Sequence, residues 1–157
     1  MSYVTTFVSP IFFVRWTAPS ADELPDVTAE YLEHRRRLAR PLAYVAIVPE
    51  DCAVPDDVTR RMMVVERDKV LPECLTMHIV MEGGGFKHAI LRNAMAAMQL
   101  VVGSRDKKVV IGRRLEEALA AIAKVVPEDM KFDVRSVMAK TLSHGVATPS
   151  TAKLGSA

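Results

Sequence analysis

Residues 74–102 decide the fold, and they read CLTMHIVM (74–81), EGGG (82–85) and FKHAILRNAMAAMQLVV (86–102). The first piece is short, apolar and free of strong charge, which predicts a strand buried in a sheet. The three glycines allow a sharp turn, because a residue without Cβ tolerates positive φ. The last piece repeats apolar residues at helical spacing and predicts a helix. With a further strand over residues 108–111, these pieces predict a β-α-β unit.

The rest of the chain alternates predicted strands and helices around this unit. Runs rich in β-branched, aromatic or continuously apolar residues predict three earlier strands, over residues 3–8, 11–17 and 42–48. In the helix after the third of these strands, Val58, Met62 and Val65 form the predicted apolar face. The order β-β-α-β-α-β-α-β-α predicts one α/β domain, a mixed sheet of about five strands with helices packed on it. A short helix over Asp133–Leu142 is expected to follow.

Composition changes along the chain set the expected boundaries. Residues 1–126 hold the alternating pattern and are predicted to form the α/β domain. Residues 127–144 are predicted to be a C-terminal helical extension, because a Pro-Glu-Asp sequence interrupts the preceding helix. Residues 145–157 contain mainly Ala, Thr, Pro, Ser, Lys and Gly, a composition that predicts a disordered tail.

The charge balance disfavours two classes of partner. There are 21 basic and 19 acidic residues, so the net charge of +2 favours neither nucleic acid nor a strongly anionic membrane. The strongest early apolar run, residues 11–14, is too short to insert across a bilayer. Two cysteines are too few for a disulfide framework, and the first residues lack the basic region of a secretory signal. We therefore expect a cytoplasmic protein.

Two segments carry a resemblance to a known family. Residues 108–122, KVVIGRRLEEALAAI, look like a closing strand, a short turn and an "EEAL" helix, and the apolar strand over 42–48 leads into an acidic loop and a helix. With the order of elements over roughly residues 3–126, these segments resemble the STAS domain of bacterial anti-sigma-factor antagonists and their lipid-binding-like relatives. The resemblance implies a regulatory module of a bacterial cell that binds a protein partner.

The chain departs from that family where a phosphorylatable serine is expected. The junction over residues 49–59 contains neither serine nor glycine, and Thr59 is its only hydroxyl. A phosphate on Thr59 would be repelled by Asp56 and Asp57. The resemblance therefore implies a divergent member that acts by binding, without a phosphorylation switch.

Two segments are the predicted partner- or anion-binding surfaces, and both follow strands at the same end of the sheet. The residues are Asp51, Cys52, Asp56 and Thr59 in the first, and Gly83, Gly84, Gly85, Lys87 and His88 in the second. In the second segment, free amides at a helix start and two basic side chains are suited to an anion. The alternative is a flexible turn, or a turn that packs against a neighbouring subunit.

The cysteine and histidine pattern gives no strong catalytic or metal site. Cys52 at a helix start is either a reactive thiol or an inert one whose pKa the surrounding acidic residues raise. Cys74 and His78 are predicted to share one face of a strand, too far apart to share a metal comfortably. We therefore predict no catalytic residue, no metal and no cofactor.

The sequence thus favours a non-catalytic regulatory or scaffolding module that binds a protein partner and associates with itself. Homodimers would form through the open edge of the first strand or through the Asp133–Leu142 helix. One alternative is a small-molecule or lipid-binding protein with an apolar pocket. Another is an enzyme that uses Cys74, His78 or His88.

Overall fold

The computed structural model describes residues 1–85, His88 and residues 108–147 of the chain. Within them, five strands form one mixed sheet and four α-helices pack on it, so the predicted fold class is confirmed. The strands are β1 (Tyr3–Val8), β2 (Ile11–Trp16), β3 (Leu42–Val48), β4 (Cys74–Met81) and β5 (Val109–Gly112). The helix predicted over residues 86–102 lies outside the described residues.

The strands lie across the sheet in their chain order. β1 and β2 form an antiparallel hairpin, whereas β2, β3, β4 and β5 are parallel neighbours. Parallel neighbours need crossover connections, which the intervening helices supply between β2, β3 and β4. The carboxyl ends of four strands consequently meet at one edge of the sheet.

The α-helices divide between the two faces of the sheet. They are α1 (Leu24–Leu38), α2 (Asp57–Val70), α3 (Leu115–Val125) and α4 (Val134–Ser143). Pro25 occupies the first turn of α1, where a missing amide hydrogen costs nothing. None of the helices in the described ranges is long and apolar enough to cross a membrane.

Alternate residues of β2 supply two separate apolar cores. Phe12 belongs to the core beneath α1, where Tyr31 is fully buried and donates to the carbonyl oxygens of Leu42 and Glu73 at 3.1 and 3.0 Å. Phe13 belongs to the opposite core, which contains residues of α3 and α4. The sheet is therefore covered on both faces, as a parallel sheet requires.

A bulge in β4 changes which side chains share a face. The register with β3 slips between the pair Leu42–Cys74 and the pair Tyr44–Met77. Cys74 and Met77 therefore both lie in the α1-side core. His78 follows Met77 and alternates with it, so it lies on the same face as Val80, in the α3-side core. The prediction that Cys74 and His78 share a face was wrong, because the extra residue inverts the alternation.

The C-terminal boundaries also differ from expectation. Val137 of α4 is buried in the α3-side core, so α4 is part of the domain and not an extension of it. Val146 and Ala147, placed by the sequence in a disordered tail, are buried in the same core. Residues 148–157 lie outside the described ranges. Two apolar residues in a stretch of small polar ones gave too weak a signal to predict this docking.

We expect Val146→Ala to destabilise the fold by about 2 kcal/mol, because Val146 is fully buried and truncation leaves a cavity. Val125→Ala, at a residue 58% exposed, is the matched control and should change little. Chemical denaturation of both variants measures the difference. Equal stability of the two variants would contradict the docking of the C-terminal segment.

Candidate functional site

The candidate site lies at the edge of the sheet where β2, β3, β4 and β5 end. The loop over residues 49–56 follows β3, and the turn over Gly83–Gly85 follows β4. Because these strands are parallel, the two predicted surfaces lie at the same edge, as expected. In open α/β sheets this edge is the usual position of binding sites.

A buried ion pair joins two of the strand ends. Nη1 of Arg15, near the end of β2, lies 2.9 Å from Oε2 of Glu82, directly after β4, and their side chains are 12% and 9% exposed. The same Nη1 atom donates to the carbonyl oxygen of Val146 at 3.2 Å. Oε1 of Glu82 is buried and has no hydrogen-bond partner among the residues that the structure describes. The pair therefore holds β2, β4 and the C-terminal segment together.

We expect Glu82→Gln to destabilise the protein by about 3 kcal/mol, because it leaves the Arg15 guanidinium buried without its counter-charge. Glu117→Gln is the control, since Glu117 forms only an exposed contact of 3.8 Å with Arg114. Urea denaturation of each variant measures the loss. If both variants matched the wild type, the buried pair would not be a stabilising constraint.

The glycine turn is shaped by a close approach of Glu50. A Cβ built on Gly83 would lie 2.5 Å from Oε2 and 2.8 Å from Cβ of Glu50, and the φ of Gly83 is +90°. A Cβ on Gly85 would also collide with the Glu50 carboxylate. The positive φ and the close approach of Glu50 therefore require glycine at position 83. The carboxylate of Glu50 lies against the turn for which the sequence suggested an anion, and the anion site stays a prediction.

We expect Gly83→Ala to destabilise the protein by about 1–3 kcal/mol, because alanine is strained at positive φ and its Cβ collides with Glu50. Gly112→Ala, at the end of β5, provides the comparison, since nothing lies within 4 Å of its added Cβ. The unfolding temperatures of both variants separate the effect of strain and collision at Gly83 from the general effect of replacing a glycine. A Gly83→Ala variant as stable as Gly112→Ala would show that the turn tolerates a side chain.

Cys52 has the properties of an inert thiol. It is half-buried against the α1-side core, and burial followed by the charge of Asp51 raises the pKa of its thiol to about 11. The positive charge of Arg15 lowers the pKa of this thiol but does not offset the effects of burial and Asp51. The thiol is consequently protonated at neutral pH and a poor nucleophile.

Asp56 and Thr59 form the start of α2. The side chain of Asp56 accepts a hydrogen bond from the amide of Thr59 at 2.7 Å, a standard N-cap, and this bond lowers the pKa of the Asp56 carboxyl. Thr59 itself is buried. It therefore does not belong to the surface that the sequence assigned to it, and its hydroxyl is not available to a partner.

The remaining predicted residues are not brought into one constellation. His88 is buried, and its Nδ1 has no hydrogen-bond partner in the described part of the chain, from which Lys87 is missing. Gly84 lies near Arg113, whose Nη2 is 3.8 Å from the Cβ it would carry. Within the described ranges, no three His, Cys, Asp or Glu side chains are arranged to hold a metal ion.

The outward face of α2 is the unexpected part of the site. Val58 and Val65, predicted to face the core, are 57% and 50% exposed, while Met62 is only partly buried. The helix instead buries Thr59, Glu66 and Val70. Val58 and Val65 lie two helical turns apart on one side of α2, and Val54, just before the helix, is 60% exposed; these three exposed valines are called the valine stripe below. The prediction of the buried face was wrong for both valines in α2.

Sequence reasoning did not predict the contacts that Arg15, Glu50 and Glu82 make, although Glu50 and Glu82 adjoin predicted motifs. Glu82 directly precedes the three glycines, and Glu50 directly precedes Asp51. A carboxylate next to a glycine turn is a usable signal. Arg15 gave none, because an arginine at the end of an apolar strand usually reaches solvent.

No protein-family model matches this chain, and no curated protein and no solved structure matches it. The resemblance to the STAS domain therefore stays a prediction that rests on the segments over residues 42–48 and 108–122.

Proposed function

We propose that this chain is a non-catalytic protein-interaction module with a regulatory or scaffolding role, as its resemblance to the STAS domain of bacterial proteins implies. The observation that carries the proposal is the valine stripe, three large apolar side chains of which at least half is exposed. Several exposed apolar side chains on one segment suit a contact site, because leaving them in water is unfavourable.

The surroundings of the stripe also suit a protein interface. Glu50 and Asp51 lie at its start and form no ion pair with the described residues, and neither does Arg61 beside its centre. An apolar centre with a charged rim is the usual composition of a contact surface. The charges at the rim would then orient the partner, and the apolar centre would supply the affinity.

The nucleophilic side chains near the site support binding over catalysis. Cys52 carries a thiol whose pKa of about 11 keeps it protonated at neutral pH. Thr59 is buried, and Cys74 lies in a different core from the face that holds His78. A nucleophile needs an activating base within hydrogen-bond reach, and these residues do not supply such a pair.

The test is co-purification of bound proteins with the double variant Val58→Asp, Val65→Asp. We expect a specific partner to be retained by the wild-type chain and reduced at least tenfold by the variant, because two charges would be placed at the apolar contact. The amount of each protein bound is quantified by mass spectrometry. Val125→Asp, on the outer end of α3, is the matched control and should retain the partner.

Folding must be equal for this comparison, so the unfolding midpoint of each variant is measured alongside. If all three proteins retained the partner equally, the valine stripe would not be part of the interface. Loss of binding by Val125→Asp as well would indicate a general effect of added charge and would equally contradict the proposal.

A further inference from the structure

The two faces of the sheet are closed to different degrees. On the α3-side face, Val45 and Ile47 of the central strand β3 are fully buried. On the opposite face, Tyr44 and Ala46 of the same strand pack against the α1-side core but remain partly exposed. A parallel sheet is normally buried on both faces, so partial exposure in its central strand is unusual. The α1-side face is therefore open at the middle of the sheet.

The opening continues onto the next strand. Ala46 is the register partner of Ile79 in β4. Ile79 alternates with Met77 of the α1-side core, so it lies on the same face, and it is partly exposed as well. Tyr44, Ala46 and Ile79 thus form an apolar floor that is about 7 Å long along the strands and about 5 Å wide across them.

The side chains near this floor are apolar or weakly polar. Met62 and Met63 of α2, and Cys52 of the loop after β3, are partly buried against the same core. Methionine adapts its shape to an irregular neighbour. No lysine or arginine is among the buried residues of the described ranges. These surroundings suit an uncharged molecule, because a buried anion would lack a counter-charge.

Tyr44 adds one polar group to the floor. Its ring lies 5.6 Å from that of Phe12 and 5.4 Å from that of Tyr31, measured between ring centroids. The Tyr31 hydroxyl donates to two carbonyl oxygens, whereas the Tyr44 hydroxyl has no hydrogen-bond partner among the residues that the structure describes. Burial raises the pKa of the Tyr44 hydroxyl, which therefore stays protonated and is able to donate or to accept a hydrogen bond.

We propose that this opening binds a compact, uncharged apolar molecule with one hydrogen-bonding nitrogen or oxygen, which pairs with the Tyr44 hydroxyl. The apolar part of the ligand covers Ala46 and Ile79 and removes them from water. The single polar contact orients the ligand on the floor. This binding activity goes beyond the proposed function and does not depend on the valine stripe.

The first experiment is a fluorescence titration of the full chain with N-phenyl-1-naphthylamine, an uncharged apolar amine with one N–H group. We expect saturable binding of one molecule per chain. Ala46→Leu, which fills the floor, should weaken binding at least tenfold. Ala120→Leu, at an exposed alanine of α3, is the matched control and should change the dissociation constant less than twofold. A wild type without saturable binding, or equal binding by both variants, would overturn the site.

A second titration tests the charge of the ligand. The probe is 8-anilinonaphthalene-1-sulfonate, which adds a sulfonate to the same ring system. We expect its affinity for the site, taken from the signal that Ala46→Leu removes, to be at least tenfold lower, because the sulfonate would lack a counter-charge. Equal affinities for the two dyes would contradict an uncharged ligand.

The role of the hydroxyl is tested with Tyr44→Phe. We expect this variant to bind N-phenyl-1-naphthylamine at least threefold more weakly without a lower unfolding midpoint, because its hydroxyl has no partner in the described part of the chain. Tyr31→Phe is the matched control: it loses two hydrogen bonds, so its unfolding midpoint should fall while the affinity stays within twofold. Wild-type affinity in Tyr44→Phe would overturn the contact with the hydroxyl.

The double variant Val58→Asp, Val65→Asp separates this site from the proposed function. It should bind N-phenyl-1-naphthylamine as the wild type does, because its substitutions lie on the outward side of α2. Loss of dye binding in this variant, with wild-type binding in Ala46→Leu, would place the dye on the valine stripe. That result would overturn the site on the sheet and leave the proposed partner surface intact.

Discussion

The buried contact between Arg15 and Glu82 is the constraint on which the rest of this edge depends. It reaches from the end of β2 to the end of β4, across the end of β3, and the same guanidinium donates to Val146. A buried charge without its partner is strongly unfavourable, so the contact couples the sheet to the C-terminal segment. A polar interaction thus fixes the position of a chain segment that also packs by apolar burial. Glu82 immediately precedes the turn over Gly83–Gly85, so the contact also holds the start of that turn.

In that turn, the position of the Glu50 side chain determines which residues fit at positions 83 and 85. Glu50, from the loop after β3, packs so closely on the turn after β4 that a Cβ on Gly83 has no room. A contact within the chain therefore explains why glycine is found at positions 83 and 85. The contact also draws the acidic loop against the edge of the sheet, so the two loops form one continuous surface that leads into α2.

The helix α2 reverses the usual relation between sequence and burial. Val58 and Val65 face outward, while Glu66 is buried with its charge paired to Lys69. A helix that needed only to cover the sheet would gain more by rotating its valines inward. These exposed valines are the feature on which the proposed interaction module rests. The proposed function depends on this departure from simple amphipathic packing.

The sequence by itself determined the α/β class, the order of the elements and most strand bounds. These follow from local patterns, because apolar runs and glycine turns act through neighbouring residues. Only the tertiary structure decided the outward face of α2, the separation of Cys74 and His78, the burial of Val146 and the pairing of Arg15 with Glu82. Each of these depends on residues distant in the chain. The bulge in β4 is the clearest case, since one extra residue changes the face of every side chain after it. Periodicity indicates which residues share a face, but the pairing with a neighbouring strand or helix decides where that face points.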